Sequence, residues 1–146
     1  MKTLKQYMAG QSKRGNTQKG NQFEQEIAEN LRACGWIVDV TELNRSFRRG
    51  HWITKKGDFF GQFDIIALKT GDNCALFIQA TTDRGIVSVK KRGIDDAIGL
   101  PSKGREYLIV TKSKEPGNFF EIYRRMEYGW TPAIHSNNID IYWPIG

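Results

Sequence analysis

The sequence lacks the residue patterns from which several kinds of site are built. It has two cysteines, Cys34 and Cys74, in no CxxC motif, and two histidines, His51 and His135. We therefore expect neither a disulfide framework nor a zinc centre, and we expect reduced thiols, as in a cytoplasmic protein. No apolar run approaches the roughly 20 residues of a membrane span, and no apolar secretory segment opens the chain. These absences favour a cytoplasmic protein that does not enter a membrane.

Acidic residues are absent from the first 23 positions, and the whole chain of 146 residues carries a net charge of +6. Residues 1–19 are rich in Gly, Lys and Gln without apolar periodicity. We predict that they form a flexible basic arm and that residues 20–146 form a single domain. Clustered basic residues indicate a nucleic-acid partner, although a solvated basic surface is the simpler alternative. The side chains expected to bind DNA are Lys13, Arg14, Lys19, Arg45, Arg48, Arg49 and Lys55.

Hydrophobic periodicity predicts an α/β fold. Apolar residues spaced as on one helix face predict a helix that begins after Asn21 as N-cap and ends at Gly35. Strands are predicted at residues 36–41, 59–68, 75–80 and 107–111, with two late strands at 119–126 and 139–143. Residues 44–56 are predicted to be a basic loop and residues 86–100 a second helix. This order predicts a mixed central sheet flanked by helices.

Asp64 is the most informative single residue. It opens the run Ile-Ile-Ala-Leu, which otherwise has the composition of a buried strand, and Gln79 lies near the end of the next apolar strand. A buried carboxylate is costly unless it is paired or binds a cation. An acid at this point, with a polar group on the neighbouring strand, indicates a metal site on a strand pair.

An ordered set of short motifs resembles the PD-(D/E)xK nucleases. The set comprises Lys-Gly-x-x-x-Glu at 19–24, Gly-Trp-x-Val at 35–38, Asp-Ile-Ile-Ala at 64–67 and Phe-Ile-Gln-Ala-Thr at 77–81. The branch it resembles most is that of the archaeal-type Holliday junction resolvases and their phage relatives. The resemblance implies a restriction-endonuclease-like fold and a homodimer that cleaves branched DNA with Mg²⁺, or with Mn²⁺ as an alternative. It also makes a phage or mobile element a plausible origin, with the host cytoplasm as location.

The resemblance also implies roles for individual residues. Glu24 matches the helix acid of the family and Asp64 its first strand acid. Gln79 occupies the place of the second acid, and Thr81 occupies the place of the catalytic lysine. Gln79 removes one negative charge but still offers an amide oxygen to a cation, whereas Thr81 has no positive charge.

Two explanations of these departures remain open. In the first, Lys56, Lys90 or Lys91 supplies the missing positive charge, and Asp58 supplies the missing acid. Asp58 precedes Asp64 by six residues, so both would lie on one face of a regular strand, unless Gly61 breaks the register. The metal ligands would then be Glu24, Asp58, Asp64 and Gln79.

In the second explanation the site has decayed and the protein binds DNA without cleaving it. A restriction or repair nuclease is a third hypothesis. Taken singly, the residues also have ordinary structural explanations, because Glu24 suits a helix cap, Asp58 a turn and Gln79 a hydrogen bond in the core.

Overall fold

The computed structural model describes the backbone of residues 16–41, 43–48, 51–56, 59–69, 71 and 74–142. Side chains are described for residues 22–41, 59–69, 71 and 74–140. Several candidate residues therefore lie outside the described part: Lys13, Arg14, Arg49 and Asp58 entirely, and Lys19, Arg45, Arg48, Lys55 and Lys56 in their side chains. Their predicted roles stay predictions.

The described residues contain two α-helices and nine strands. The helices are α1 (Asn16–Ala33) and α2 (Val87–Ala97), and 3₁₀ turns occupy Arg84–Ile86 and Ile139–Tyr142. The strands are β1 (Ile37–Val40), β2 (Leu43–Arg48), β3 (His51–Lys56), β4 (Ile65–Leu68), β5 (Ala75–Ala80), β6 (Arg105–Lys112), β7 (Phe120–Met126), β8 (Gly129–Trp130) and β9 (Ile134–Ser136).

Seven of these strands form one mixed sheet, in the order β1-β4-β5-β6-β7-β8 with β9 also paired to β7. The pairing is antiparallel except between β5 and β6, which run parallel. A parallel pair needs a crossover connection, and α2 lies in the segment that joins β5 to β6. The prediction of an α/β fold with a mixed sheet is confirmed.

Helix α1 covers one face of the sheet because its apolar residues recur at helical spacing. Phe23, Ile27 and Leu31 are buried in a cluster with the side chains of Ile65, Ala67, Leu76, Ile78, Leu108, Val110, Phe120 and Ile122. The helix ends as predicted at Gly35, whose φ of 94° suits glycine. The Trp36 amide donates to the Leu31 carbonyl and the Gly35 amide to the Arg32 carbonyl, each at 3.0 Å, which is a Schellman motif.

Helix α2 lies on the opposite face. Its Val87 and Ile94 join a second cluster, which includes Phe63, Phe77, Tyr107 and Ile109. Gly93 lies in the middle of this helix, where glycine costs about 1 kcal/mol relative to alanine. A Cβ at this position would lie 2.8 Å from Oε1 of Gln62. The glycine therefore allows the segment before β4 to approach the helix closely.

Three predicted elements were wrong. Asn21 is not an N-cap, because α1 already begins at Asn16. The predicted basic loop at residues 44–56 instead forms the antiparallel hairpin of β2 and β3. The predicted late strand at residue 139 is a 3₁₀ turn. The hairpin contains Leu43, Phe47, Trp52 and Ile53 among its basic residues, and aromatic and β-branched residues of this kind favour strands over the predicted loop.

The predicted strand at residues 59–68 is also shorter than expected. Only Ile65–Leu68 is strand, and residues 59–63 form a tight turn closed by an isolated bridge between Phe59 and Phe63. The inference that Asp58 and Asp64 share a strand face required an unbroken strand between them. The strand is broken at Gly61, whose φ is 71°, so this argument for a shared face no longer holds, and Asp58 itself lies outside the described residues.

Candidate functional site

Polar side chains gather where β1, β5 and β6 end and β4 and β7 begin. We call this the polar end of the sheet, and its residues are Thr41, Asp64, Gln79, Thr81, Thr111 and Glu121. The strand registers place Asp64 beside both Gln79 and Thr41. The Asp64 amide donates to the Ile78 carbonyl at 2.8 Å, and the Thr41 amide donates to the Asp64 carbonyl at 2.9 Å. The backbone thus fixes Asp64 between two strands.

The carboxylate of Asp64 is buried, with 3% of the residue exposed. Its Oδ2 accepts a hydrogen bond of 2.9 Å from the amide of Ala80. The carboxylate therefore accepts a hydrogen bond that a backbone carbonyl would accept within the sheet, at the point where the pairing of β4 with β5 ends.

Gln79 lies one strand away on the α2 face of the sheet. Its neighbours Ile78 and Ala80 pack against the α1 face, and side chains alternate along a strand. Its Nε2 donates to the Ala80 carbonyl at 3.3 Å. That bond directs the amide nitrogen to the backbone and leaves Oε1 as a neutral oxygen ligand.

Glu24 approaches the same end of the sheet from the other face. It follows Phe23 in α1, whose ring centroid lies 6.2 Å from that of Phe120 and 5.6 Å from Nζ of Lys112. Phe120 and Lys112 are register partners where β7 begins and β6 ends. Glu24 is buried, with 4% of the residue exposed, and its neighbour Phe23 packs near the polar end. The helix acid and Gln79 are therefore on different faces, with Asp64 at the end of the ladder between them.

The donors at the polar end fit Mg²⁺ better than a metal that needs a complete protein cage. Among the described residues, no group of three or more His, Cys, Asp or Glu side chains is placed to hold a metal. Mg²⁺ commonly uses one or two carboxylates and completes its shell with water and substrate phosphate. Asp64, Glu24 and Gln79 supply only oxygen ligands.

A further oxygen lies beside Asp64. The hydroxyl of Thr41 is buried and has no hydrogen-bond partner within the described part of the chain. An orphaned buried hydroxyl is unusual, because most buried polar atoms have a partner. The orphaned oxygen is consistent with a ligand or water shell at this position.

One of the three lysines considered from the sequence lies on the face of Gln79. The ammonium of Lys91 in α2 lies 4.3 Å from the centroid of the Tyr123 ring. Tyr123 belongs to the same lateral row of the sheet as Gln79, with Ile109 between them. Lys90 is half-buried on the same helix, and no contact places it at the polar end.

Thr81, which occupies the position of the family's lysine, makes local contacts instead. Its hydroxyl donates to the Asp83 carbonyl at 3.3 Å, and the Asp83 amide lies 3.1 Å from the same oxygen. The side chain thus stabilises the turn that leads into the 3₁₀ segment Arg84–Ile86. None of these contacts of Thr81 requires a charged side chain.

The sequence interpretation missed a second buried acid, Glu121, which is 1% exposed. Arg84 binds it with two hydrogen bonds, Nε to Oε2 at 3.2 Å and Nη2 to Oε1 at 2.7 Å. The Tyr123 hydroxyl donates to Oε2 at 2.9 Å, and Nε2 of His135 lies 3.6 Å from Oε1. The sequence does contain a signal for Glu121, because this acid interrupts an apolar strand. The comparable position of Asp64, directly before an apolar strand, was what identified Asp64.

The same network sets the acidity of Tyr123. Burial of the phenol, followed by its hydrogen bond to Glu121 and the charge of that carboxylate, raises its pKa above the usual 10. Tyr123 therefore stays neutral and acts as a hydrogen-bond donor at physiological pH. Glu121 is fully engaged by these donors, so it is not expected to bind a metal.

Neither helix in the described part of the chain is long and apolar enough to cross a membrane. Comparison with models of protein families, with characterised proteins and with solved structures finds no match.

Proposed function

We propose that the protein is a Mg²⁺-dependent DNA endonuclease with a restriction-endonuclease-like arrangement of its sheet and helices. The observation that supports this most strongly is the pairing of Asp64 with Gln79 on adjacent strands. Asp64 lies directly before strand β4, is buried, and accepts a hydrogen bond from the Ala80 amide. Buried acids are paired or bind a cation, and the resemblance to the PD-(D/E)xK nucleases favours a cation for Asp64.

The residues at the polar end divide the work of phosphodiester hydrolysis. A bound Mg²⁺ would polarise the phosphate and lower the pKa of a bound water. Asp64 and Glu24 would hold the cation, and Gln79 would orient it through a neutral oxygen. Lys91 is the described lysine best placed to approach the scissile phosphate, since its position over Tyr123 puts its ammonium on the face of Gln79. Lys56 and Asp58 remain alternatives from the sequence.

Branched DNA, cleaved by a homodimer, is the proposed substrate because of the resemblance to junction resolvases. The net charge of +6 and the basic clusters support binding to a polyanion. Two symmetric nicks in a four-way junction require two active sites, which a homodimer supplies.

A non-catalytic DNA-binding protein on the same fold is the second candidate. The observation that favours it is the engagement of Thr81 in a local turn. No positive charge occupies the place where the related nucleases carry their lysine, and Gln79 removes one negative charge. If Lys91 does not compensate, the site would bind DNA without hydrolysing it.

A nicking assay separates these candidates. The substrates are a four-way junction, a linear duplex and a single strand, each incubated with and without Mg²⁺. Mg²⁺-dependent nicks at the junction support the resolvase-like nuclease, and cleavage of the other substrates alone supports a restriction or repair nuclease. Binding without cleavage under all conditions would overturn the enzymatic proposal in favour of the DNA-binding one.

A further inference from the structure

Phe60 has an unusual backbone conformation. Its φ is 54°, and it is the one non-glycine residue with positive φ in the described part of the chain. Bulky side chains rarely adopt this region, which costs of order 1–3 kcal/mol. Glycine would adopt it without strain.

The ring of Phe60 gains little from burial to offset that cost, because 70% of the residue is exposed. The other two aromatic residues of the turn are less exposed, since Phe63 is fully buried and Phe59 is packed against the same cluster. The turn thus buries two aromatic rings and leaves the third in solvent.

The turn is held firmly, so the exposed ring has a fixed position. The Phe59 amide donates to the Phe63 carbonyl at 2.7 Å, and the Phe63 amide donates to the Phe59 carbonyl at 2.9 Å. On the side of α2, the side-chain amide of Gln62 packs closely against Gly93, where a Cβ would lie 2.8 Å from its Oε1. A rigid support of this kind loses little entropy when the ring meets a ligand.

The ring lies beside Phe77, on the face of the sheet that also carries Gln79. Its centroid is 6.0 Å from that of Phe77, which precedes Gln79 by two residues on the same face of β5. Two residues of a strand span about 7 Å, which is the length of about two nucleotide steps along one DNA strand. The exposed guanidinium of Arg105 lies 5.8 Å from the Phe77 centroid and places a positive charge beside the same aromatic pair.

We propose that Phe60 is a stacking residue for an unpaired or unstacked DNA base, held beside the phosphate that the polar end would cleave. Exposed aromatic rings bind bases through their π faces, and a nearby arginine can bind the adjoining phosphate. A fully paired duplex does not offer such a base without unstacking energy, so Phe60 would favour branched or single-stranded DNA. The proposal rests on the proposed function for its DNA partner, but it does not require cleavage.

The test compares Phe60→Ala and Phe60→Trp with Tyr128→Ala. Tyr128 is a matched control, because it is an aromatic residue on a turn with 76% exposure and no positive φ. Binding is measured in EDTA by fluorescence anisotropy, with a junction, a single strand and a linear duplex. A junction with 2-aminopurine at the branch reports stacking directly through quenching of its fluorescence.

We expect Phe60→Ala to weaken junction and single-strand binding by about 5- to 100-fold and duplex binding far less. Phe60→Trp should preserve both affinity and quenching, and Tyr128→Ala should behave as wild type. Thermal melting checks the fold, and Phe60→Gly, which relieves the strained φ, provides a second variant if Phe60→Ala is unstable.

Equal losses on all three DNAs, unchanged affinity, or an equal effect of Tyr128→Ala would overturn the proposal. A wild-type protein that binds none of the DNAs would also overturn it. Phe60-dependent quenching without any Mg²⁺-dependent cleavage would support the stacking role and remove only the nuclease function.

Discussion

The two faces of the sheet differ in how far their apolar residues extend. On the face covered by α1, Ile78 and Ile122 belong to a large apolar cluster. On the face covered by α2, an apolar half around Phe77 gives way to a polar half that contains Gln79 and Glu121. The change occurs within two residues of β5.

This difference separates stability from chemistry within one sheet. Apolar burial contributes about 25 cal/mol per Å², so the α1 face can hold the fold without polar groups. The polar half of the α2 face costs desolvation energy that hydrogen bonds must offset. We interpret it as the part of the molecule retained for function, and the following changes test that division.

The largest effect is expected at the α1 face. Ile78→Ala should lower the free energy of unfolding by about 2–5 kcal/mol, because a fully buried side chain leaves a cavity. The adjacent Gln79→Met is the control, with an expected change below about 1 kcal/mol. Urea unfolding of both variants measures the contrast, and a greater loss at Gln79 would reverse our assignment of the faces.

The second effect concerns the ion pair on the α2 face. Arg84→Ala should destabilise the protein by about 2–3 kcal/mol, because it leaves the buried Glu121 carboxylate with fewer donors. Glu121→Gln should cost less, since Arg84 is 39% exposed and can turn to solvent. Chemical unfolding measures the loss of stability in the two variants. A larger loss for Glu121→Gln than for Arg84→Ala would contradict the claim that the buried acid needs the ion pair more than the exposed arginine does.

The third change restores the family's acid. Gln79→Glu should lower the melting temperature without divalent cations, because it adds a buried carboxylate next to Asp64. Mg²⁺ should reverse much of that loss if both residues bind it. Melting curves with and without Mg²⁺, with Ca²⁺ as a second cation, measure the rescue. A loss that no cation reverses would remove Gln79 from the metal site.

The smallest effect is a pH dependence at Tyr123. Because its pKa is raised in the folded state, folding favours the protonated phenol. The resulting stability is fully present below the unfolded pKa near 10 and is lost as pH rises through the folded value. Tyr123→Phe should therefore flatten the fall in melting temperature above pH 10 relative to wild type. Identical slopes would show that the network around Glu121 does not affect this phenol.

Much of the sheet could be predicted from the sequence, because its apolar patterns are strong. The run at residues 75–80 is a strand with the predicted bounds, and the stripe of Phe23, Ile27 and Leu31 packs as expected. The turn at Phe60 could not be predicted from pattern, because its sequence is apolar and its positive φ is unfavourable for phenylalanine. The hydrogen bonds between Phe59 and Phe63 and the packing of the turn against α2 at Gly93 outweigh the preference of Phe60 for negative φ.

The candidate site was predictable in part for the same reason. Asp64 and Gln79 were identified because polar residues interrupt apolar strands, and the strand register places them side by side. The Arg84 partner of Glu121 was not predictable, since it lies 37 residues away and reaches the acid only through the fold, whereas Tyr123 is two residues away on the same strand. Residues distant in sequence meet there through topology alone.

The proposed metal site at the polar end is tested most directly by cation binding and cleavage in Asp64→Asn. The control is Asp39→Asn, which removes an exposed carboxylate from the neighbouring strand β1. Isothermal titration with Mg²⁺ and Mn²⁺ and single-turnover cleavage of a four-way junction are measured for both variants and wild type. We predict that Asp64→Asn abolishes cleavage and weakens cation binding while it leaves DNA binding intact, and that Asp39→Asn behaves as wild type. Wild-type rates and cation affinity in Asp64→Asn would contradict the assignment of this carboxylate to a metal site.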